Sequence, residues 1–497
     1  MNLLRASTTV AAMTLISRVL GFLRDMLVAA FLGAGPLADV FIIAFKIPNL
    51  FRRLFAEGAF SAVFVPQYTS ILESGGQKAA QIFSEQVLSF LLWSLLLFIL
   101  LFEIFMPWLM ILFAPGFGVE SKSFDLAVLL TRITFPYLLF ISLVSMMSGL
   151  LNSLGKFGAA AATPILLNIT LIGAVIWLSA YTETPAHALS WGVSIGGLLQ
   201  FLWLLINVRK AGIKLKLVRP KLTPHVQTLL RKILPAALGA GVYQVSLVID
   251  TVVASFLPKG SISYLFFSDR VNQLPMGVIG VAVGTALLPL LSKQISSGSL
   301  TDANHSLNRA VELVCFFSVP AAVGLVVIPD HIISVLFERG AFGPLETAAT
   351  SKALALYAIG LPAFIITKVV APAYFARGDT STPVKIAVLA VAVNLILNLV
   401  LMQPLLHLGI ALATSISGWL NALVLVTLLV RRKHFNFDAW TKNRLFRIIL
   451  ASGIMGLFLY LAKHIFTALL SIFNSQSLIG LIILIALGII IYGSSAF

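Results

Sequence analysis

The amino-acid sequence predicts an all-α polytopic membrane protein of about 14 transmembrane helices. They form two six-helix lobes related by parallel duplication, plus two C-terminal helices. Three observations carry this expectation. The 497 residues are 59% hydrophobic and 10% charged, with a mean hydropathy of +1.02, far too apolar for a water-soluble core. Apolar runs of about 20 residues, each able to cross about 30 Å of hydrocarbon as a helix, recur from end to end. A series of Pro, Gly and Asp marks also repeats at an offset of about 225 residues. A transmembrane barrel would show short, strictly alternating segments. Here Leu, Ile, Ala, Val and Phe run continuously, and a helix satisfies its backbone polar groups within one segment.

Spans are expected near residues 7–32, 38–70, 85–113, 124–152, 157–180, 186–208, 228–257, 264–292, 306–336, 346–375, 382–402, 408–430, 445–468 and 476–496. The first is no cleavable signal peptide, because Arg18, Arg24 and Asp25 interrupt its apolar region and no small-residue cleavage site follows. Gly21, Gly33, Gly35, Pro36, Pro48, Gly58 and Pro66 interrupt the first two spans, as sites of bending or of close helix packing. The loop after the sixth span carries Arg209, Lys210, Lys214, Lys216, Arg219, Lys221, Arg231 and Lys232, and that after the twelfth carries Arg431, Arg432, Lys433, Lys442, Arg444 and Arg447. The alternate loops hold little beyond Lys122, Lys259 and Arg339. The positive-inside rule then puts both termini in the cytoplasm. The net charge of +16 is topological rather than a nucleic-acid footprint. Cys315, the single cysteine, excludes an internal disulfide, and the seven scattered histidines have no metal-ligand spacing.

In the duplication, Asp25 matches Asp250, Gly33 Pro258, Pro48 Pro275, Pro66 Pro289, Pro107 Pro329, Gly116 Gly340, Pro136 Pro362 and Gly155 Gly378. The segment FMPWLMILFAPGF against VIPDHIISVLFERGAF shows it most plainly. The expected division is an N-terminal lobe at 1–208, a basic cytoplasmic linker at 209–232, a C-terminal lobe at 233–431 and two extra helices at 432–497. Because six is even, the lobes share one orientation, an arrangement some transporters use to enclose a central cavity.

Charges inside the spans are the strongest pointer to function. A cation at the bilayer centre costs roughly 2.5–3.5 kcal/mol on insertion scales and marks a pathway or a substrate. Asp39, Lys46 and Arg53 are spaced seven apart and share one face of the second helix at about 100° per residue. Arg18 and Asp25 share a face of the first helix, with Arg24 about 120° away, and Arg52 adjoins Arg53. The second half offers Asp250 and the adjacent Asp269 and Arg270. Arginine forks bind phosphate bidentately, so this set suits a diphosphate, with Asp25, Asp39 and Asp269 holding the arginines between substrate visits. Ion pairs that only fix helix packing are the alternative. Cations outnumber carboxylates here even with Glu57 counted, and an excess of buried cations requires an anion or a wet cavity. Asn394 and Asn398, one turn apart, could with Asp250 and Thr414 hold Na⁺, or could simply bridge helices as amides.

The run SRVLGFLRDMLVAAFLGAGPLADVFIIAFKIPNLFRRLFAEGAFSAVFVPQY closely resembles the start of the bacterial lipid II flippase (MurJ/MviN) family, within the multidrug/oligosaccharidyl-lipid/polysaccharide exporter superfamily. FSDRVNQLPMGVIGVAVGTALLPLLS and YFARGDTSTPVKIAVLAVAVNLILN extend the resemblance over the whole chain. It implies an alternating-access transporter of the bacterial inner membrane. The cargo would be the undecaprenyl-diphosphate-linked peptidoglycan precursor, moved from the cytoplasmic to the periplasmic leaflet. It implies head-group contacts at Arg18, Arg24, Arg52, Arg53 and Arg270, acidic partners at Asp25 and Asp39, and a lipid-tail groove formed by the last two helices. Partners would be the lipid and its membrane, with cell-wall synthesis proteins as further candidates. No cofactor is implied. A related member's sodium site has an aspartate where this chain has Asn398, which puts Na⁺ coupling in doubt; membrane potential is another source, worth about 2.3 kcal/mol per charge per 100 mV.

Two other readings stay open. Charge alone does not separate the peptidoglycan precursor from another polyprenyl-linked saccharide, whereas an exporter of cationic drugs would need carboxylates where arginine dominates. An enzyme acting on the same lipid would need paired carboxylates or a large extramembrane loop, and the sequence offers neither.

Overall fold

The computed structural model describes residues 3–53, 60–469 and 478–496. They form eighteen α-helices, with no strand among the described residues. Glu57 and Gly58 lie outside the described residues. Contacts divide the chain into two compact units, Met1–Phe256 and Leu257–Phe497.

In the first unit, α1 (Leu3–Leu32) ends at Gly33, whose φ of +68° only glycine adopts readily. Helix α2 (Pro36–Phe51) opens on a proline, whose missing N–H is no loss in a first turn. Asp39 sits in that turn, where the helix dipole favours a carboxylate. Past Phe51 the backbone widens at Arg52 and Arg53 into a π-type turn, a geometry frequent at functional sites. The stretch α3 (Ser61–Ile104) consists of two helices joined at Gly76, φ +74°, the first holding the end of the expected second span and the second most of the third. There follow α4 (Met106–Phe113), α5 (Lys122–Thr134), α6 (Tyr137–Ser153), α7 (Phe157–Ala161), α8 (Thr163–Trp177), α9 (Pro185–Lys210) and α10 (Pro224–Ser255). Phe64 stacks on Phe60, Tyr68 and Phe83, and this aromatic column packs against Leu143, Met146 and Leu150 of α6 and Val226 and Leu229 of α10.

The basic linker is fastened down. Gln81 Nε2 donates to Lys214 O at 2.9 Å, Glu85 Oε1 accepts from Lys216 N at 3.3 Å, and Ser89 Oγ accepts from Val218 N at 2.9 Å. Residues four apart on α3 thus hold alternate residues of an extended segment, which leaves Lys214, Lys216, Arg219 and Lys221 exposed. The repeat assigns α10 to the second half, yet its contacts group it with the first unit. Lys46 Nζ of α2 donates to Thr251 Oγ1, and Gly116 N donates to Ser255 Oγ at 3.0 Å. A Cβ on Gly116 would fall 2.2 Å from Ser255 O, so the approach requires glycine.

The second unit comprises α11 (Ser261–Ser296), α12 (Leu300–Val327), α13 (Pro329–Phe337), α14 (Pro344–Phe375), α15 (Ser381–Leu405), α16 (His407–Arg431), α17 (Ala439–Leu469) and α18 (Leu478–Ala496). The duplication is visible in backbone geometry. Pro107 and Pro329 each open a short helix, α4 and α13. Gly155 and Gly378 take φ of +72° and +75° at matching turns. Helix α17 packs on α12 and α18 and is fastened at both ends. Arg309 bonds Glu312 at 2.8 Å and Asp438 at 2.7 Å, Arg444 lies 3.7 Å from Glu312, and Lys463 reaches Asp330 at 3.2 Å.

Ten described helical stretches are long and apolar enough to cross a membrane. The other long helices, α1, α2, α10 and α11, carry the intramembrane charges of interest.

Between α14 and α15, hydrogen bonds from Thr382 Oγ1 (2.6 Å) and Thr382 N (2.9 Å), helped by Arg432 (2.7 Å), bring the Asp379 carboxyl down from 3.8 to about 2. A depressed carboxyl stabilises the fold above its unfolded value and loses that contribution as pH falls through the folded one. The melting-temperature gap between wild type and Asp379→Asn should therefore be full above about pH 4 and close as pH approaches 2. A pH-independent gap in thermal melts would refute the assignment.

Candidate functional site

Helix α1 packs one side on α7 and α8 and contributes Arg18, Arg24 and Asp25. Asp25 is 4% exposed. Its Oδ1 accepts from Arg24 Nε at 3.0 Å and Nη2 at 2.7 Å, while Arg24 Nη1 donates to Asn168 Oδ1 of α8 at 2.9 Å. The shared face of Arg18 and Asp25 therefore does not set the pairing. The neighbouring Arg24 folds its fork back over Asp25, and Arg18 stays exposed.

On α2 the seven-residue ladder grades from buried to open. Asp39 is 4% exposed, Lys46 is half-buried against Thr251, and Arg53 is exposed. Arg52 Nε donates to Asn49 Oδ1 at 3.0 Å, and Asn49 in turn donates to Phe45 O at 2.9 Å. The π-type turn shifts both arginines from the positions an unbroken 100° step would give. Exposed arginines on such helices face lipid or water, and the insertion penalty of roughly 2.5–3.5 kcal/mol favours water.

Asp250 is half-buried on α10 beside Thr251. In the second unit, Asp269 Oδ2 accepts from Gln273 Nε2, and the Arg270 guanidinium lies 4.7 Å from the centre of the Phe266 ring. That cation–π contact places the guanidinium against an aromatic ring. Asn394 and Asn398 are buried on α15 and bonded to each other at 3.2 Å, with Asn394 Nδ2 at 3.5 Å from Thr414 Oγ1 of α16. This chain of amides and a hydroxyl bridges two helices. Asp250, the fourth member of the candidate cation set, belongs to the first unit.

Sequence reasoning missed three polar residues. Asn168 is the one amide in the apolar run ILLNITLIG and Lys368 the one charge in FIITKVVAP, and each is a usable signal. Lys368 lies along Gly280 of α11, where a Cβ would come 2.9 Å from its Cδ. Thr251 gives no sequence signal at all.

An all-helical, internally duplicated membrane protein whose charges concentrate on the first two helices of each half belongs to the class of polytopic transporters. A solved structure titled as an inward-facing multidrug resistance MATE transporter shares the fold, with a TM-score of 0.64 and 14% identity over 87% of this chain and 95% of that one. The particular family is narrower. The family model for the lipid II flippase MurJ matches residues 28–480. A probable lipid II flippase from Rhizobium tropici is 44% identical, covering 98% of this chain and 93% of the relative. One from Rickettsia prowazekii is 38% identical over 93% and 91%. The solved structure titled "Lipid II flippase MurJ, inward closed conformation" superposes with a TM-score of 0.83 at 31% identity, covering 98% and 97%. The chain belongs to the lipid II flippase MurJ family.

Asp25→Ala should strip Arg24 of a buried counter-charge and lower unfolding stability by roughly 3 kcal/mol. Arg18→Ala and Arg53→Ala, at exposed positions, should stay within about 0.5 kcal/mol of wild type. Thermal or denaturant unfolding in detergent measures both; equal losses in all three would mean that these arginines serve packing alone.

Proposed function

We propose that this protein flips lipid II, the undecaprenyl-diphosphate-linked peptidoglycan precursor, from the cytoplasmic to the periplasmic leaflet of the bacterial inner membrane by alternating access. The observation that carries the reading is 44% identity to a probable lipid II flippase over 98% of the chain. The intramembrane arginines supply the chemistry. Arg18, Arg24, Arg52 and Arg53 of the first unit and Arg270 of the second engage the diphosphate and head group, each fork presenting paired donors to phosphate oxygens. Asp25, Asp39 and Asp269 keep these cations placed when no substrate is bound. No covalent step is needed, so the protein acts as a transporter and not as an enzyme, without a cofactor. Its partners are the lipid and the surrounding membrane, with cell-wall synthesis proteins as further candidates.

Both termini lie in the cytoplasm by the positive-inside rule. The repeat supports a division into lobes at 1–208 and 233–431, a linker at 209–232 and an extra helix pair at 432–497 that lets the polyprenyl tail remain in lipid. Sodium coupling is disfavoured, because Asn394, Asn398 and Thr414 provide only neutral oxygens and bond one another. The membrane potential is the better candidate, since cations displaced through the field do work of about 2.3 kcal/mol per charge per 100 mV. The second reading, export of another polyprenyl-linked saccharide, is favoured only by the generality of diphosphate recognition.

Depletion in the native cell, followed by an assay for lipid II at the outer leaflet, tests the reading. Outer-leaflet lipid II should fall, return with wild type, and stay below about a tenth of the wild-type level with Arg52→Ala or Arg270→Ala despite normal insertion, as expected for losing one charged phosphate contact. Unchanged outer-leaflet lipid II on depletion would transfer the assignment to another saccharide.

A further inference from the structure

We infer that Asn168 of α8 is a positioning residue for substrate recognition, orienting the Arg24 guanidinium without neutralising it. The inference rests on the reading above that Arg24 engages the lipid diphosphate. Asn168 is 6% exposed, and its amide works in both directions. Oδ1 accepts from Arg24 Nη1 at 2.9 Å, while Nδ2 donates to Ser17 O at 3.0 Å, one turn before the Gly21 that faces it. A Cβ on Gly21 would sit 3.4 Å from Nδ2, so the amide lies against the surface of α1 at this glycine.

The donor count explains what the amide does. Guanidinium has five N–H groups. Among the described contacts, Asp25 takes one from Nε and one from Nη2, and Asn168 takes one from Nη1. One N–H remains on each terminal nitrogen, a two-point donor for a phosphate. Asp25 alone would hold the fork along one edge only, through a single oxygen. Asn168 supplies the second fixed point, tied to the backbone of the same helix through Ser17, so the fork's plane is set before substrate arrives. Pre-organisation of this kind gains affinity by removing an ordering cost from binding.

The choice of amide over carboxylate follows from charge. Arg24 and Asp25 already sum to zero. A carboxylate at 168 could accept from Arg24 but has no proton to donate to Ser17 O, and it would add a negative charge that repels a diphosphate.

Lipid II binding to the purified full chain, measured for wild type, Arg24→Ala, Asn168→Ala, Asn168→Asp and the Arg24→Ala/Asn168→Ala double variant, decides the matter, with thermal unfolding followed in parallel. Asn168→Ala should weaken binding about tenfold, the size of one hydrogen bond to a charged group. Asn168→Asp should weaken it more, because it both loses the Ser17 tie and adds a negative charge beside the phosphate site. The double variant should bind no worse than Arg24→Ala, because the amide acts only through the arginine. Additive losses in the double variant, or wild-type binding by Asn168→Asp, would overturn the positioning role while leaving the arginine site intact. Wild-type binding by Arg24→Ala would instead remove the reading on which the inference rests. Should Asn168→Ala fail to fold, the near-isosteric Asn168→Asp carries the test by itself.

Discussion

A cation inside hydrocarbon must find an acceptor or reach water, and the chain sorts its intramembrane charges by that requirement. Arg24 has two acceptor side chains and Lys46 has a threonine on a neighbouring helix. Arg18 and Arg53 are exposed. The first pair is largely shielded; the second reaches the helix surface, where contact with water is cheaper than contact with hydrocarbon. Helices α1 and α2 must therefore present part of their surface to water, although they are flanked by apolar helices built to face lipid. On the proposed function the same arrangement serves recognition, since a water-exposed arginine is accessible to a phosphate.

Duplication supplied the frame, and divergence supplied the chemistry. Lys46 stands two residues before Pro48 and Gln273 two before Pro275. In one unit this position reaches from α2 to Thr251 on α10; in the other it turns back one turn to Asp269 on its own helix. The same register thus links helices in the first half and shapes a local carboxylate in the second. Prolines and positive-φ glycines persisted because they set backbone direction, which both halves need. Charges were free to differ because each answers to a local partner.

The spans, their order and the duplication were legible, since hydropathy and Pro/Gly marks act through the backbone. Pairings were harder. A helical wheel separates Arg24 from Asp25 by about 100°, yet an arginine stem is long enough to fold back on its neighbour, and a shared face therefore does not reveal the Arg24–Asp25 pair. The ladder through Arg53 assumed an unbroken helix, and the π-type turn at Arg52 lies beyond any periodicity rule. The linker's basic residues read as a topological signal, which hid that its backbone is laid along α3 by Gln81, Glu85 and Ser89. Side-chain-to-backbone bonds of this sort leave no periodic trace.

The placement of ion pairs along α17 completes the argument from cost. Its fasteners lie at the ends, Asp438 and Arg444 at one and Lys463 at the other. Its middle exposes Ile449, Leu450, Ile454, Leu457 and Leu461. Near the membrane surface the effective dielectric is high, so such pairs cost little desolvation and fix the helix without a charge at depth. Helices whose task is anchorage can use charges there, at the rim. The charges on α1, α2 and α11 are not confined to helix ends in this way, which is what motivates the proposal that they bind substrate.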